Sequence, residues 1–220
     1  MRLWRNNGLS IVVFSVFALL LSGQALTGHR MENNDRREHN EPAQTFSQYL
    51  RSAHFLEATA ENWESEFLQM AAYVWLTAFL YQKGSSESKD PDKQSEACDR
   101  EPDPSRPGAP WPVRRGGVAL LLYRNSLVIA LLLLFTASLV MHGIGGAGVY
   151  REELRAHGDG QSVTLLDYMS GSRFWFESLQ NWQSEFLAVL TIVVLSIFLR
   201  QHGSPESKPV DAAHRDTGNS

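Results

Sequence analysis

The chain has 220 residues, a net charge of −4 and a single cysteine. The length suits one or two domains. The mildly acidic balance leaves no global basic footprint for nucleic acid, and one cysteine excludes an intramolecular disulfide framework.

Arg2 and Arg5 precede an apolar run over residues 9–26. About 18 residues at 1.5 Å each just cross a hydrocarbon core. The same features suit a secretory signal peptide cut after Ala25. An uncleaved first span is expected instead, because Arg5-Asn6-Asn7-Gly8-Leu9 is matched by Arg124-Asn125-Ser126-Leu127 ahead of an internal apolar run.

A polar stretch follows, residues 29–44, with a counterpart at 148–163; Asn40 and Gly158 are expected to stop helices there. Thr45-Phe46-Ser47-Gln48 and Thr164-Leu165-Leu166-Asp167 both have capping-box spacing. Each opens a short helix with one apolar face: Phe46, Tyr49 and Leu50, then Leu165, Tyr168 and Met169. A second long helix starts near Phe55 and again near Phe174. It carries a stripe of Leu56, Ala60, Trp63 and Phe67, repeated as Trp175, Leu179, Trp182 and Phe186. Trp63, Trp175 and Trp182 are the expected interfacial aromatics. Gly84 and Gly203 are expected at the ends of these helices.

Between and after these elements the composition turns to Ser, Pro, Asp, Glu and Lys, which predicts a disordered linker over 90–115 and a disordered tail over 209–220. Cys98 lies in that linker without a neighbouring His or Cys at metal spacing, so no reactive or metal role is expected of it.

Two motifs recur with a period of about 119 residues, which predicts an internal duplication. Asn62-Trp63-Glu64-Ser65-Glu66-Phe67-Leu68 returns as Asn181-Trp182-Gln183-Ser184-Glu185-Phe186-Leu187. Gln82-Lys83-Gly84-Ser85-Ser86-Glu87-Ser88-Lys89 returns as Gln201-His202-Gly203-Ser204-Pro205-Glu206-Ser207-Lys208. The expected fold is all-α and integral to a membrane, with four transmembrane helices in two tandem parallel-repeat hairpins and short interfacial helices. Repeat 1 covers 1–89 with spans near 9–26 and 63–82, and repeat 2 covers 116–208 with spans near 126–144 and 182–200.

Arg2, Arg5, Lys83, Lys89, Arg114, Arg115, Arg124, Arg200 and Lys208 crowd one set of span ends. Arg30, Arg36, Arg37, Arg51, Arg151, Arg155 and Arg173 fall on the other side. The positive-inside rule then places both termini and the linker in the cytoplasm.

Glu66 and Glu185 share a helix face with Asn62 and Thr77, or with Asn181 and Ser196. Two such faces meeting across a pseudo-two-fold axis would make a proton or cation pathway with paired carboxylates. The simpler reading is a Glu at the first turn of a span, favoured by the helix dipole and held at headgroup depth. His39 and His157 read as solvated loop residues and His142 as interfacial, since a zinc site needs three or four convergent ligands. The Gly-Ser-x-Glu-Ser-Lys motif lacks P-loop spacing and follows a helix, so it reads as a helix stop with a lysine at the headgroups. Gly143, Gly145, Gly146 and Gly148 mark a close approach or a flexible exit near the end of the third span.

The whole pattern resembles a family of uncharacterised bacterial multi-pass membrane proteins carrying a domain of unknown function. The motifs that carry the resemblance are Arg-Asn-Asn-Gly-Leu-Ser at 5–10, Asn-Trp-Glu-Ser-Glu-Phe-Leu-Gln at 62–69, and Pro-Trp-Pro-Val-Arg-Arg-Gly-Gly at 110–117. Ser-Arg-Phe-Trp-Phe-Glu-Ser at 172–178 and Asn-Trp-Gln-Ser-Glu-Phe-Leu-Ala at 181–188 complete the set. The resemblance implies a bacterial plasma-membrane protein and brings no catalytic residue.

No catalytic group, metal or cofactor is expected, because no nucleophile–base pair or metal set is visible. The expected role is structural or partner-binding, with the lipid bilayer, a second copy or another membrane protein as partners and no nucleic acid. The apolar cluster Phe174, Trp175 and Phe176 marks such a contact.

Overall fold

The computed structural model describes residues 2–93, 97–157 and 162–218. Among the described residues the fold is all-helical. The long helices are α1 (Arg2–Glu38), α3 (Ala53–Phe79), α6 (Ser126–Ala156) and α8 (Ser172–Phe198). Short helices join them: α2 (Phe46–Tyr49), α4 (Trp111–Arg115), α5 (Gly117–Arg124) and α7 (Leu165–Ser170).

Three of these helices are long and apolar enough to cross a membrane: Leu3–Glu38, Ser126–Ala156 and Ser172–Phe198. The expected span at 63–82 is not among them, so length and composition qualify three helices where four spans were expected. The reason is local. Glu64, Glu66 and Gln69 occupy the first half of that stretch, and α3 stops at Phe79. Taken alone, its apolar run falls short of the about 20 residues that a lone bilayer span asks for.

Both capping boxes form as the spacing predicts. Thr45 caps α2 with Gln48 reaching back to its N–H, and Thr164 caps α7 with Asp167 doing the same. Asn40 stops α1 in the left-handed region, at φ 58°. Glu41 N–H bonds the Arg36 carbonyl and Asn40 N–H the Arg37 carbonyl, the bond pair of a Schellman end. The matching stop at Gly158 lies outside the described residues. Gly84 and Gly203 do not cap α3 and α8, which end at Phe79 and Phe198. They sit at φ 88° and 80° in turns closed by Ser85 N–H to Gln82 O and Ser204 N–H to Gln201 O.

The chain divides into two compact units. The first is Met1–Ala60 with Met141–Gly171. Its core is built on two buried tyrosines, Tyr49 and Tyr168, each presented by a short capped helix. Each tyrosine lies against a glycine. A Cβ on Gly28 would sit 2.1 Å from Tyr49 Oη, and one on Gly146 would sit 2.3 Å from Tyr168 Oη. Gly145 and Gly148 do the same work against the start of α3, where a Cβ would meet Glu57 N at 2.5 Å and Ala53 Cβ at 2.5 Å. The glycines of α6 therefore serve close packing inside a continuous helix rather than a flexible exit. His142 is fully buried on the same helix, not interfacial. Asn33 pins the 39–44 loop to α1: its Nδ2 donates to the Gln44 carbonyl (3.0 Å) and its Oδ1 accepts from the Gln44 N–H (2.7 Å).

The second unit is Glu61–Val140 with Ser172–Ser220. Within it the later part of α3 runs parallel to α8. The linker and tail differ from the disordered segments expected. α4 forms within 90–115, and Lys83–Asp92 and Lys89–Asp99 ion pairs hold the start of the linker. Tail residue Thr217 is buried and accepts from the Gly84 N–H (2.9 Å). Composition misses this because the tail is held through its carbonyls and one hydroxyl, which any polar sequence offers.

Candidate functional site: the polar seam of the second unit

α3 carries Glu61 and Glu64 three residues apart, hence on one face. α8 presents Asn181 and Trp182 to them. Asn181 Nδ2 donates to Glu61 Oε1, and Trp182 Nε1 donates to Glu64 Oε1 at 3.2 Å. Glu64 has no exposed surface, so its carboxylate is a buried charge held by a donor. Further along, Gln69 Nε2 donates to the Glu185 carbonyl (3.3 Å). Tyr73 Oη donates to Glu87 in the loop after α3. Ser196, near the end of α8, pairs with Ser85 (Oγ to Oγ 2.8 Å) and accepts from the Ser86 N–H (3.3 Å).

The two Gly-Ser-x-Glu-Ser-Lys motifs adopt one turn. In both, the leading Gln N–H donates to the last Ser Oγ at 2.8 Å: Gln82 to Ser88 and Gln201 to Ser207. In both, the Glu N–H donates to the first Ser Oγ at 3.1 Å: Glu87 to Ser85 and Glu206 to Ser204. The lysines then diverge. Lys89 donates to Ala78 O, at the end of its own helix. Lys208 is 1 % exposed and its Nζ reaches four carbonyls: Gly84, Asp216 (2.8 Å), His214 (3.1 Å) and Ala213 (3.3 Å). Burial, then the Arg200 guanidinium, pushes the Lys208 ammonium below the usual lysine range, while Asp216 pulls the other way. The expected lysine at lipid headgroups is instead the pin of a clasp between loop and tail.

The sequence-predicted stripe is only partly brought together: Glu66 lies close enough to act electrostatically on Glu185, while the other members have partners of their own. Asn181 is engaged by Glu61 and Ser196 by the 82–89 loop. Thr77 returns its hydroxyl to the Tyr73 and Val74 carbonyls of its own helix. Asn62 is exposed; Glu66 is exposed and Glu185 half-buried. Of the expected interfacial aromatics, Trp175 is exposed and Trp63 half-buried. Trp182 is a packing residue, with its ring centroid 6.2 Å from Trp175 and 6.0 Å from Phe135. Sequence reasoning missed Glu61 and Glu64. Their three-residue spacing opposite the Asn-Trp pair was the available signal. Among the described residues no group of three or more His, Cys, Asp or Glu is placed to hold a metal ion.

The seam offers carboxylates, amides and hydroxyls bonded across two helices and a loop, an arrangement that fixes helix position in a low-dielectric setting. No curated protein and no solved structure matches the chain. One family model does, and it spans residues 1–219. The chain belongs to the family described as Domain of unknown function (DUF6766).

Proposed function

We propose that the protein is a non-enzymatic component of a bacterial plasma membrane, structural or partner-binding, built from two tandem units. The observation that carries this reading is the use of the seam's polar groups: the Glu64 carboxylate and the Asn181 amide are spent on each other's helices rather than turned to a solvent path. The shared turn of the two Gly-Ser-x-Glu-Ser-Lys motifs supports the duplication. Cross-linking in native membranes tests the role. A discrete homo-oligomer or a defined partner is expected, and monomer alone at every cross-linker length counts against it.

The same reading has α3 pass the bilayer as the companion of α8, its carboxylate face turned inward, with both termini in the cytoplasm. The parallel course from Glu61–Asn181 to Gln69–Glu185 supports that path, as do Arg2, Arg5, Lys83, Lys89 and Lys208 at one set of ends. Cytoplasm-active and periplasm-active reporters fused to each terminus test it. A periplasmic signal at either end sinks it.

A second reading, a small proton or cation pathway, rests on Glu66 and Glu185. Neither carboxylate makes a hydrogen bond or ion pair among the described residues. In that case Glu66→Gln and Glu185→Gln each abolish pH-dependent flux in proteoliposomes. No flux in the wild type removes the reading.

A further inference from the structure

Residues 111–133 form a feature that the seam does not explain. α4 and α5 are joined by two glycines with positive φ, Gly116 at 68° and Gly117 at 60°, which fold the short helices against each other. Together with the start of α6 they line an open, shallow groove of about 810 Å³. Its walls are apolar, with Val118, Leu122, Ile129 and Leu133 among them. Arg115 supplies the charge at its rim, and its guanidinium lies over the Trp111 ring, 5.3 Å from the centroid. Arg114 precedes it in the chain. Trp111 and Leu122 are both 57 % exposed, so the groove is open rather than filled.

The chemistry of the two parts selects the occupant. An apolar trough along the first turns of a membrane helix takes a hydrocarbon chain. A guanidinium held in place on an indole face at its mouth takes an anionic headgroup, since arginine presents a fork that matches phosphate oxygens. Tryptophan belongs at that depth. We propose that the α4–α5–α6 groove is a binding site for an anionic phospholipid, its acyl chain along Leu122, Ile129 and Leu133 and its phosphate on Arg115. This rests on the reading of α6 as a span and adds a specific lipid to the bilayer as a whole. A lipid held there would also let the α4–α5 segment anchor the entry to α6 at the membrane surface.

The test uses the full chain in phosphatidylcholine nanodiscs doped with phosphatidylglycerol that carries a diazirine on its acyl chain. A diazirine-bearing phosphatidylcholine is the comparison. Photolabelling is mapped by peptide mass. Label is expected on peptides covering 118–133, stronger for the anionic lipid by about fivefold for one arginine contact. Arg115→Gln brings it down to the zwitterionic level, and Arg115→Lys retains part of the preference. Ile129→Trp, which fills the trough, lowers groove labelling by both lipids. All three variants are checked for wild-type elution as folded protein. Equal labelling by the two lipids overturns the site, as does a preference indifferent to Arg115→Gln, or a groove that cross-links to a second copy instead. Labelled α6 outside an unlabelled groove overturns the site and leaves the span intact. An α6 with no label anywhere overturns the span itself.

Discussion

Trp182 on α8 donates its indole N–H to Glu64 on α3, a carboxylate with no exposed surface. A buried charge that loses its donor keeps its desolvation cost, so the two residues are coupled. Trp182→Phe is expected to lower stability by about 1–3 kcal/mol. Once Glu64→Gln has removed the charge, the same change costs less. A double-mutant cycle by thermal unfolding in detergent reads the difference, with a coupling of about 0.5–2 kcal/mol expected. Additive effects would show that the contact carries no energy.

Glycine substitutions in the first unit sort by what the added methyl meets. Gly145→Ala drives a Cβ into the backbone N of Glu57, so the two helices must part, at about 1–3 kcal/mol. Gly143→Ala meets the Met169 thioether at 2.9 Å, the end of a flexible side chain, and costs less. Gly23→Ala has nothing within 4 Å and gains about 0.5–1 kcal/mol from helix propensity. Unfolding midpoints in one detergent test the order Gly23→Ala above wild type, then Gly143→Ala, then Gly145→Ala.

The Lys208 clasp holds the tail by its carbonyls, and Lys208→Met keeps the stem but withdraws every donor. Tryptic cleavage after Arg215, which needs that backbone extended in the protease, is expected to speed up by about tenfold or more, since three tail carbonyls lose their ammonium. Thr217→Val removes only the acceptor of the Gly84 N–H and moves the rate the same way by less. Intact mass against time gives both rates.

The two capping boxes are alike in geometry but only one titrates. Asp167 accepts from the Thr164 hydroxyl (2.6 Å) and N–H (2.9 Å), which holds its carboxyl below the usual aspartate range. A depressed folded value means the unfolded chain binds more protons across the interval between the two values. The stabilisation is therefore full above the usual aspartate range and is lost as pH falls through the folded value. Gln48 fills the same place in α2 and does not ionise. Amide protection at the start of α7 is expected to fall on acidification while that of α2 holds, and Asp167→Asn makes the two alike. Parallel loss in both helices would trace the effect to something other than the cap.

Local signals carried the fold a long way. Thr45 and Thr164 announce their helices because a capping box is complete within four consecutive residues, and Asn40 announces its stop through a similarly local signal. Tyr49 and Tyr168 stood out on the apolar faces of their helices, but their glycine seats at 28 and 146 are a tertiary fact. The polar stripe was drawn on one helix at a time. Asn181 meets Glu61 rather than the Asn62–Glu66 stripe because the partner across a helix pair is set by the rotation of both helices, and periodicity fixes only one. Lys208 was legible as a cation and not as a clasp, since its acceptors are backbone carbonyls that any sequence supplies.

The bond from Lys208 to Gly84 joins residues 124 apart in the chain. A contact of that reach closes a large loop, and the chain entropy it removes is recovered only when α8 already lies along α3. The clasp therefore belongs to the late side of the folding barrier, after the helices have paired. Interactions made late leave the folding rate nearly unchanged and slow unfolding. The twin turns, so similar inside, thus divide by time: the turn at Lys89 closes locally on its own helix, and the one at Lys208 shuts last and governs how long the assembled second unit persists.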